Sequence, residues 1–167
     1  MDSIYLIGFM GAGKTTIGKE LGRYLQLPVF DTDEEIVKSE KRSINLIFEQ
    51  DGEMFFREQE TNTLRQLLHE RAVITTGGGI ITRKENCQLL KENGLVFFLF
   101  ATPEEIMKRL EQDKSRPLLK GDKKQKITEL YEERMSLYKD TADFVIDTTG
   151  KKVDEIVKEI VLCLKPS

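Results

Sequence analysis

Gly8-Phe9-Met10-Gly11-Ala12-Gly13-Lys14-Thr15 fits the pattern G-x-x-x-x-G-K-[ST] and constrains this chain more than any other stretch. The reason lies in the residue types. Glycines let the backbone turn tightly and approach phosphates with no Cβ in the way. Successive N–H groups then face inward as an anion nest, and the helix that follows adds its positive N-terminal end. Lys14 places a cation on the β- and γ-phosphates, and the Thr15 hydroxyl suits Mg²⁺. Such a loop needs a strand before it and a helix after it. Ile4–Gly8 is a short apolar run, and Lys14–Leu25 carries Ile17, Leu21 and Leu25 at i, i+4 and i+8. A plain Gly-rich strand-to-helix turn is the competing reading.

The alternation continues along the chain. Pro28–Asp31, Ala72–Thr76, Leu95–Phe100 and Asp143–Ile146 are further apolar runs without polar alternation, the pattern of strands buried on both faces. Glu53–Leu68 and Lys126–Tyr138 read as helices. Thr32-x-x-Glu35, Thr82-x-x-Glu85 and Thr102-Pro103-Glu104-Glu105 read as capping boxes. Repeated strand–helix–strand units predict a parallel sheet covered on both sides, with ligands at the carboxyl ends of its strands. At 167 residues, the chain fits a single domain over 1–167. The stretch 111–126 is polar, basic and broken by Pro117 and Gly121, which reads as a surface loop or a mobile lid.

Several classes are excluded. The charges nearly cancel, 26 Lys+Arg against 29 Asp+Glu, which argues against a general nucleic-acid binder. No apolar run reaches the length of a membrane span, and the acid at Asp2 argues against a secretory signal. Cys87 and Cys163 stand far apart without neighbouring ligands, so they suit a reducing cytoplasm better than a zinc site. His69 is the only histidine, so any histidine-based acid–base scheme would rest on it alone.

The remaining chemistry is acidic and cationic. In extended chain Asp31 and Asp33 point the same way, so one carboxylate can support Mg²⁺ while the other accepts a proton from a substrate hydroxyl; helix capping is the alternative for Asp33. Two arginines interrupt apolar stripes. Arg57 shares a face with Glu60, Leu64 and Leu68, and Arg134 shares one with Ile127, Leu130 and Tyr138. A charge there is costly unless paired. Arg57 can pair with Glu60. Arg134 has no acid on its own face, and a substrate carboxylate would serve it. Structural salt bridges are the alternative for both. Gly77-Gly78-Gly79 could bring backbone N–H to the same ligand or could be a bare turn. Arg116, beside Pro117, could stabilise charge on a transferring phosphoryl group when the lid closes.

Together these motifs resemble the shikimate kinase family over nearly the whole chain: GFMGAGKTT at 8–16, FDTD at 30–33, SINLIFEQDGEMFFREQE at 43–60, TGGGI at 76–80, SRPLL at 115–119 and ERMSLY at 133–138. The resemblance implies a three-layer α/β/α P-loop kinase fold with a five-stranded parallel sheet in order 2-3-1-4-5. It implies Mg²⁺- and ATP-dependent phosphorylation of the shikimate 3-hydroxyl, giving shikimate 3-phosphate and ADP on the route to chorismate and aromatic amino acids. Asp33, Lys14 and Arg116 would be the catalytic residues. Gly11, Ala12, Gly13, Lys14, Thr15, Thr16, Arg116 and Lys151 would bind ATP, with Lys151 standing where an Arg is common. Asp33, Arg57, Gly78 and Arg134 would bind shikimate, with Glu60 bracing Arg57 and Phe48 and Phe56 in the pocket wall. Thr15 and Asp31 would hold the metal. The substrate region would span 33–61 and the lid 111–124. A cytoplasmic monomer is expected, with shikimate and ATP as its partners and neither nucleic acid nor membrane. A gluconate or nucleotide kinase is the competing enzyme, and a catalytically silent nucleotide-binding module is the competing class.

Overall fold

Apolar runs without polar alternation demand cover on both faces, and the architecture supplies it. A computed structural model describes residues 2–112 and 122–165. Its strands are β1 (Ser3–Ile7), β2 (Val29–Asp31), β3 (Val73–Thr75), β4 (Gly94–Phe100) and β5 (Phe144–Asp147). They form one sheet in order β2-β3-β1-β4-β5, with every pairing parallel. Helices α1 (Lys14–Leu25) and α7 (Val153–Leu164) pack together on one face. Helices α3 (Ile44–Leu67), α4 (Lys84–Asn93) and α6 (Asp122–Thr141) cover the other. Every residue of β1 is buried, as expected for the middle strand.

Two shorter helices complete the ligand edge. Helix α5 (Pro103–Gln112) lays Ile106 and Leu110 against Gly11. Its start follows the expected box, since the Thr102 hydroxyl accepts from the Glu105 N–H at 3.2 Å. Helix α2 (Thr32–Glu40) packs on α3 beside β2, and Ile36, Ile47 and Phe56 form a small core of their own there.

Some local expectations are corrected. The cap of α2 is Asp31, whose Oδ1 accepts from the Glu34 N–H at 3.1 Å. Thr32 lies inside the helix, and its hydroxyl accepts from the Gly77 N–H at 3.1 Å, tying α2 to the turn after β3. Thr82 caps no α-helix; it belongs to the 3₁₀ turn Ile80–Thr82, and its hydroxyl donates to the Gly79 carbonyl at 2.6 Å. Helix α3 begins nine residues before Glu53 and is broken at Gly52, where φ is 85°. Only the half after that break matches the helix expected from spacing.

Candidate active site

The carboxyl ends of β1, β2 and β3 open on a cavity of about 440 Å³. The loop 10–16 lines one side; Asp31, Asp33, Arg57, Glu60, the turn 76–79 and Arg134 line the rest. The loop has the backbone that its glycines allow, with φ at 82° for Gly11 and 90° for Gly13. Helix α1 starts without a side-chain cap and without an acid in its first turn, so its N–H groups face the cavity as an anion site. Lys14 Nζ lies over the loop, donating to the Gly8 carbonyl and, at 3.1 Å, to that of Phe9.

Asp31 and Asp33 both reach this cavity, but not as an extended pair. Asp31 ends β2 and caps α2, and Asp33 already lies in the first turn of that helix. Asp31 Oδ2 also accepts from the Thr75 hydroxyl at 2.8 Å. The capping role considered for Asp33 thus belongs to Asp31, and the Asp33 carboxylate sits beside Gly77. A Cβ on Gly77 would lie 2.8 Å from Asp33 Oδ1 and 3.0 Å from Glu60 Oε2, so the two carboxylates share one corner.

The arginines converge on the same corner from two helices. Arg57 Nη1 donates to Glu60 Oε1 at 2.7 Å, the pairing expected one turn apart. Its guanidinium lies over Gly79 so closely that a Cβ there would fall 2.7 Å from Cζ. Glu60 is 0% exposed, and among the described residues its Oε2 finds no hydrogen-bond partner. Burial pushes its carboxyl up to about 6; the Arg57 guanidinium pulls the other way, and Asp33 adds to the rise. Arg134 comes from α6 and hydrogen-bonds the Tyr138 hydroxyl, which in turn donates to the Gly78 carbonyl at 2.6 Å. Burial pushes Tyr138 up to about 12, keeping it a donor. Among the described residues, Arg134 pairs with no carboxylate. Two guanidinium groups beside a glycine turn and two acids can grip an anionic, hydroxylated molecule.

A second cavity of about 230 Å³ adjoins the first through Ala12, Gly13 and Thr16. Lys151 lines it and bonds Glu159 at 2.8 Å, so the structure brings this expected ATP residue to the loop's outer side. Arg109 lines it too and was missed in the sequence. It bonds the Gly11 and Ala12 carbonyls at 3.3 and 3.4 Å and reaches the Thr148 hydroxyl at 3.3 Å. The available signal was slight: a cation flanking the buried positions Ile106 and Leu110 of an amphipathic helix. Phe56 lines the main cavity as expected. Phe48 does not; it packs on Phe56 with ring centroids 4.9 Å apart and is 37% exposed. Arg116 lies outside the described residues, as does most of the stretch read as a lid.

The sequence profile of the shikimate kinase family matches residues 10–165. The shikimate kinase of Bacillus cereus (strain G9842) is 46% identical over 160 residues, covering 96% of each chain. That of Enterococcus faecalis (strain ATCC 700802 / V583) is 46% identical over 167 residues, covering 99% of each. Among solved structures, shikimate kinase from Acinetobacter baumannii in complex with shikimate superposes with a TM-score of 0.90 at 37% identity, over 98% of this chain and 93% of that one. The enzyme from Aquifex aeolicus gives a TM-score of 0.86 at 40% identity, over 97% and 95% of the two chains.

Proposed function

Since this chain belongs to the shikimate kinase family, we propose that it phosphorylates the shikimate 3-hydroxyl in the cavity between the loop 10–16 and Arg134, with the residues described above in defined roles. The supporting observation is that Arg57, Arg134, Asp33 and Gly78 line the same cavity as the phosphate loop. Arg57 and Arg134 hold the acid's carboxylate and ring oxygens, and the Gly78 backbone supports them. Asp33 orients the attacking hydroxyl and takes its proton. The hydroxyl oxygen forms a bond to the terminal phosphorus of ATP, the bond from that phosphorus to the bridging oxygen breaks, and ADP leaves. Gly11, Ala12, Gly13, Lys14, Thr15 and Thr16 cradle the phosphates, and Lys151 flanks the nucleotide from the adjoining cavity.

Mg²⁺ fits the donors present. The Thr15 hydroxyl and the Asp31 carboxylate are hard oxygen ligands lining one cavity, and a metal that keeps several waters needs no more from the protein. When bound, Mg²⁺ neutralises charge on the β- and γ-phosphates. Arg116 is assigned the closing arginine of a lid over 111–124, and 33–61 the substrate region. For the latter, the support is that α2 and α3, with their own small core, carry Asp33 and Arg57. The reading takes the chain as a monomer. Unpaired Cys87 and Cys163 support a reducing, cytoplasmic setting. Among the described residues, no helix is long and apolar enough to cross a membrane. ADP release with Mg²⁺-ATP and a panel of hydroxy acids tests the reading. Turnover on shikimate and not on gluconate is the expected result; the reverse overturns it.

A further inference from the structure

A polar node stands behind the acid clamp, outside the two cavities described above; its half-buried outer member, Arg83, lines a separate opening together with Arg57. The node's centre is Thr61 on α3, 2% exposed, with Asn86 on α4, 0% exposed, against it. The Thr61 hydroxyl donates to Asn86 Oδ1 at 2.7 Å and accepts from Arg83 Nη1 at 2.9 Å. Arg83 Nη1 also reaches the Arg57 carbonyl at 3.3 Å, which the Thr61 hydroxyl approaches at 3.2 Å. Asn86 Nδ2 donates to the Ile80 carbonyl at 3.0 Å. The Ile80 N–H donates to the Gly77 carbonyl at 3.2 Å, and the Thr82 hydroxyl to that of Gly79 at 2.6 Å.

A continuous chain of hydrogen bonds thus joins the helical turn that presents Arg57 to the turn that presents Gly77, Gly78 and Gly79. The gap it spans has no slack, because the Arg57 guanidinium lies directly on Gly79. A hydroxyl has one proton and two lone pairs, so Thr61 is nearly saturated here, and its bonds are directional where apolar packing is not. Burying such groups gains little net stability but fixes geometry.

We propose that Thr61, Asn86 and Arg83 are positioning residues that set the separation between Arg57 and the Gly77–Gly79 turn, and through it the affinity for the acid substrate. This rests on Arg57 holding that acid. The node acts on one half of the site: none of the three lines the loop 10–16 or the adjoining nucleotide cavity.

Steady-state kinetics of the full chain tests it, with both substrates varied. Thr61→Val keeps the shape and removes the hydroxyl. It is expected to raise the KM for the acid about tenfold, with kcat and the KM for ATP held within about threefold. Thr61→Ser restores the hydroxyl and is expected to return the acid's KM to within about twofold of the parent value. Arg83→Met, at a half-buried position, is expected to raise the acid's KM about threefold or more; it carries the decision if Thr61→Val does not fold. Unchanged KM for the acid in both Thr61→Val and Arg83→Met overturns the inference, as does a parallel rise in both KM values. Arg57→Ala is the control. If it leaves the acid's KM unchanged, the clamp itself is wrong; if it raises the KM while the node variants do not, only the node is wrong.

Discussion

Glu60 is a carboxylate held where burial opposes its charge. Its carboxyl is pushed up to about 6 from an ordinary 4.5 because burial outweighs Arg57, with Asp33 adding repulsion and Arg134 relief. The folded state therefore binds the proton more tightly than the unfolded state. Glu60's contribution to stability is most favourable below about pH 4.5, is lost as pH rises through about 6, and is then constant. The loss is on the order of 2 kcal/mol. Glu60→Gln is expected to gain stability relative to the parent by about that amount between pH 4 and pH 7, measured by urea unfolding at both, while its KM for the acid rises because Arg57 loses its brace. A pH-independent difference, or an unchanged KM, contradicts this. Asp33→Asn keeps the shape and removes the proton acceptor. It is expected to bind ATP normally and to lose roughly 10²–10⁴-fold in kcat; near-normal kcat removes Asp33 from the chemistry. At this scale the site was partly legible. Arg57 with Glu60 followed from helical spacing, and so did the lack of a partner for Arg134 on its own face. The division of labour between Asp31 and Asp33 did not, because capping geometry decides it and both residues are good caps.

Among the elements, the turn after β3 lines the cavity directly beside Arg57, which is proposed to hold the acid. Gly79 gives room to Arg57, and the far end of an arginine can move where a backbone cannot. Gly79→Ala is therefore expected to fold with a melting temperature within a few degrees of the parent, on the order of 1 kcal/mol. Its KM for the acid is expected to rise about tenfold as the guanidinium is displaced. Loss of ATP affinity to the same extent would place the effect elsewhere. Reading elements from the sequence worked where the signal was periodic and unbroken: the bounds of α1 were expected as found. It failed across Gly52, because a positive φ inside α3 breaks the hydrophobic phase on which spacing arguments depend. Two of three capping boxes misled. Ser/Thr-x-x-Glu is satisfied at Thr32 and Thr82 as text, while the first cap is taken by Asp31 next door and the second Thr is spent closing a 3₁₀ turn.

For the molecule as a whole, the sheet order β2-β3-β1-β4-β5 sets β1, with its phosphate loop, beside β3, and β3 beside β2. That adjacency brings Gly11–Thr15, Gly77–Gly79 and Asp31–Asp33 to one edge although Thr15 and Gly77 lie 62 positions apart in the sequence. Alternating strands and helices predict a parallel sheet but not its order, which here came only from the family resemblance. The long-range convergence on Arg134 from α6 was likewise invisible to local spacing. Arg134→Ala is expected to weaken shikimate binding by about 2–5 kcal/mol, read by calorimetry on folded protein, with ATP affinity unchanged; an unaltered Kd removes Arg134 from the clamp. The most direct measurement is a crystal structure of the chain with shikimate, Mg²⁺ and a non-hydrolysable ATP analogue. The account predicts the acid's carboxylate on Arg57 and Arg134, its 3-hydroxyl at Asp33 and the terminal phosphate over Lys14. An acid bound away from that cavity, or arginines that still contact only protein, would contradict it.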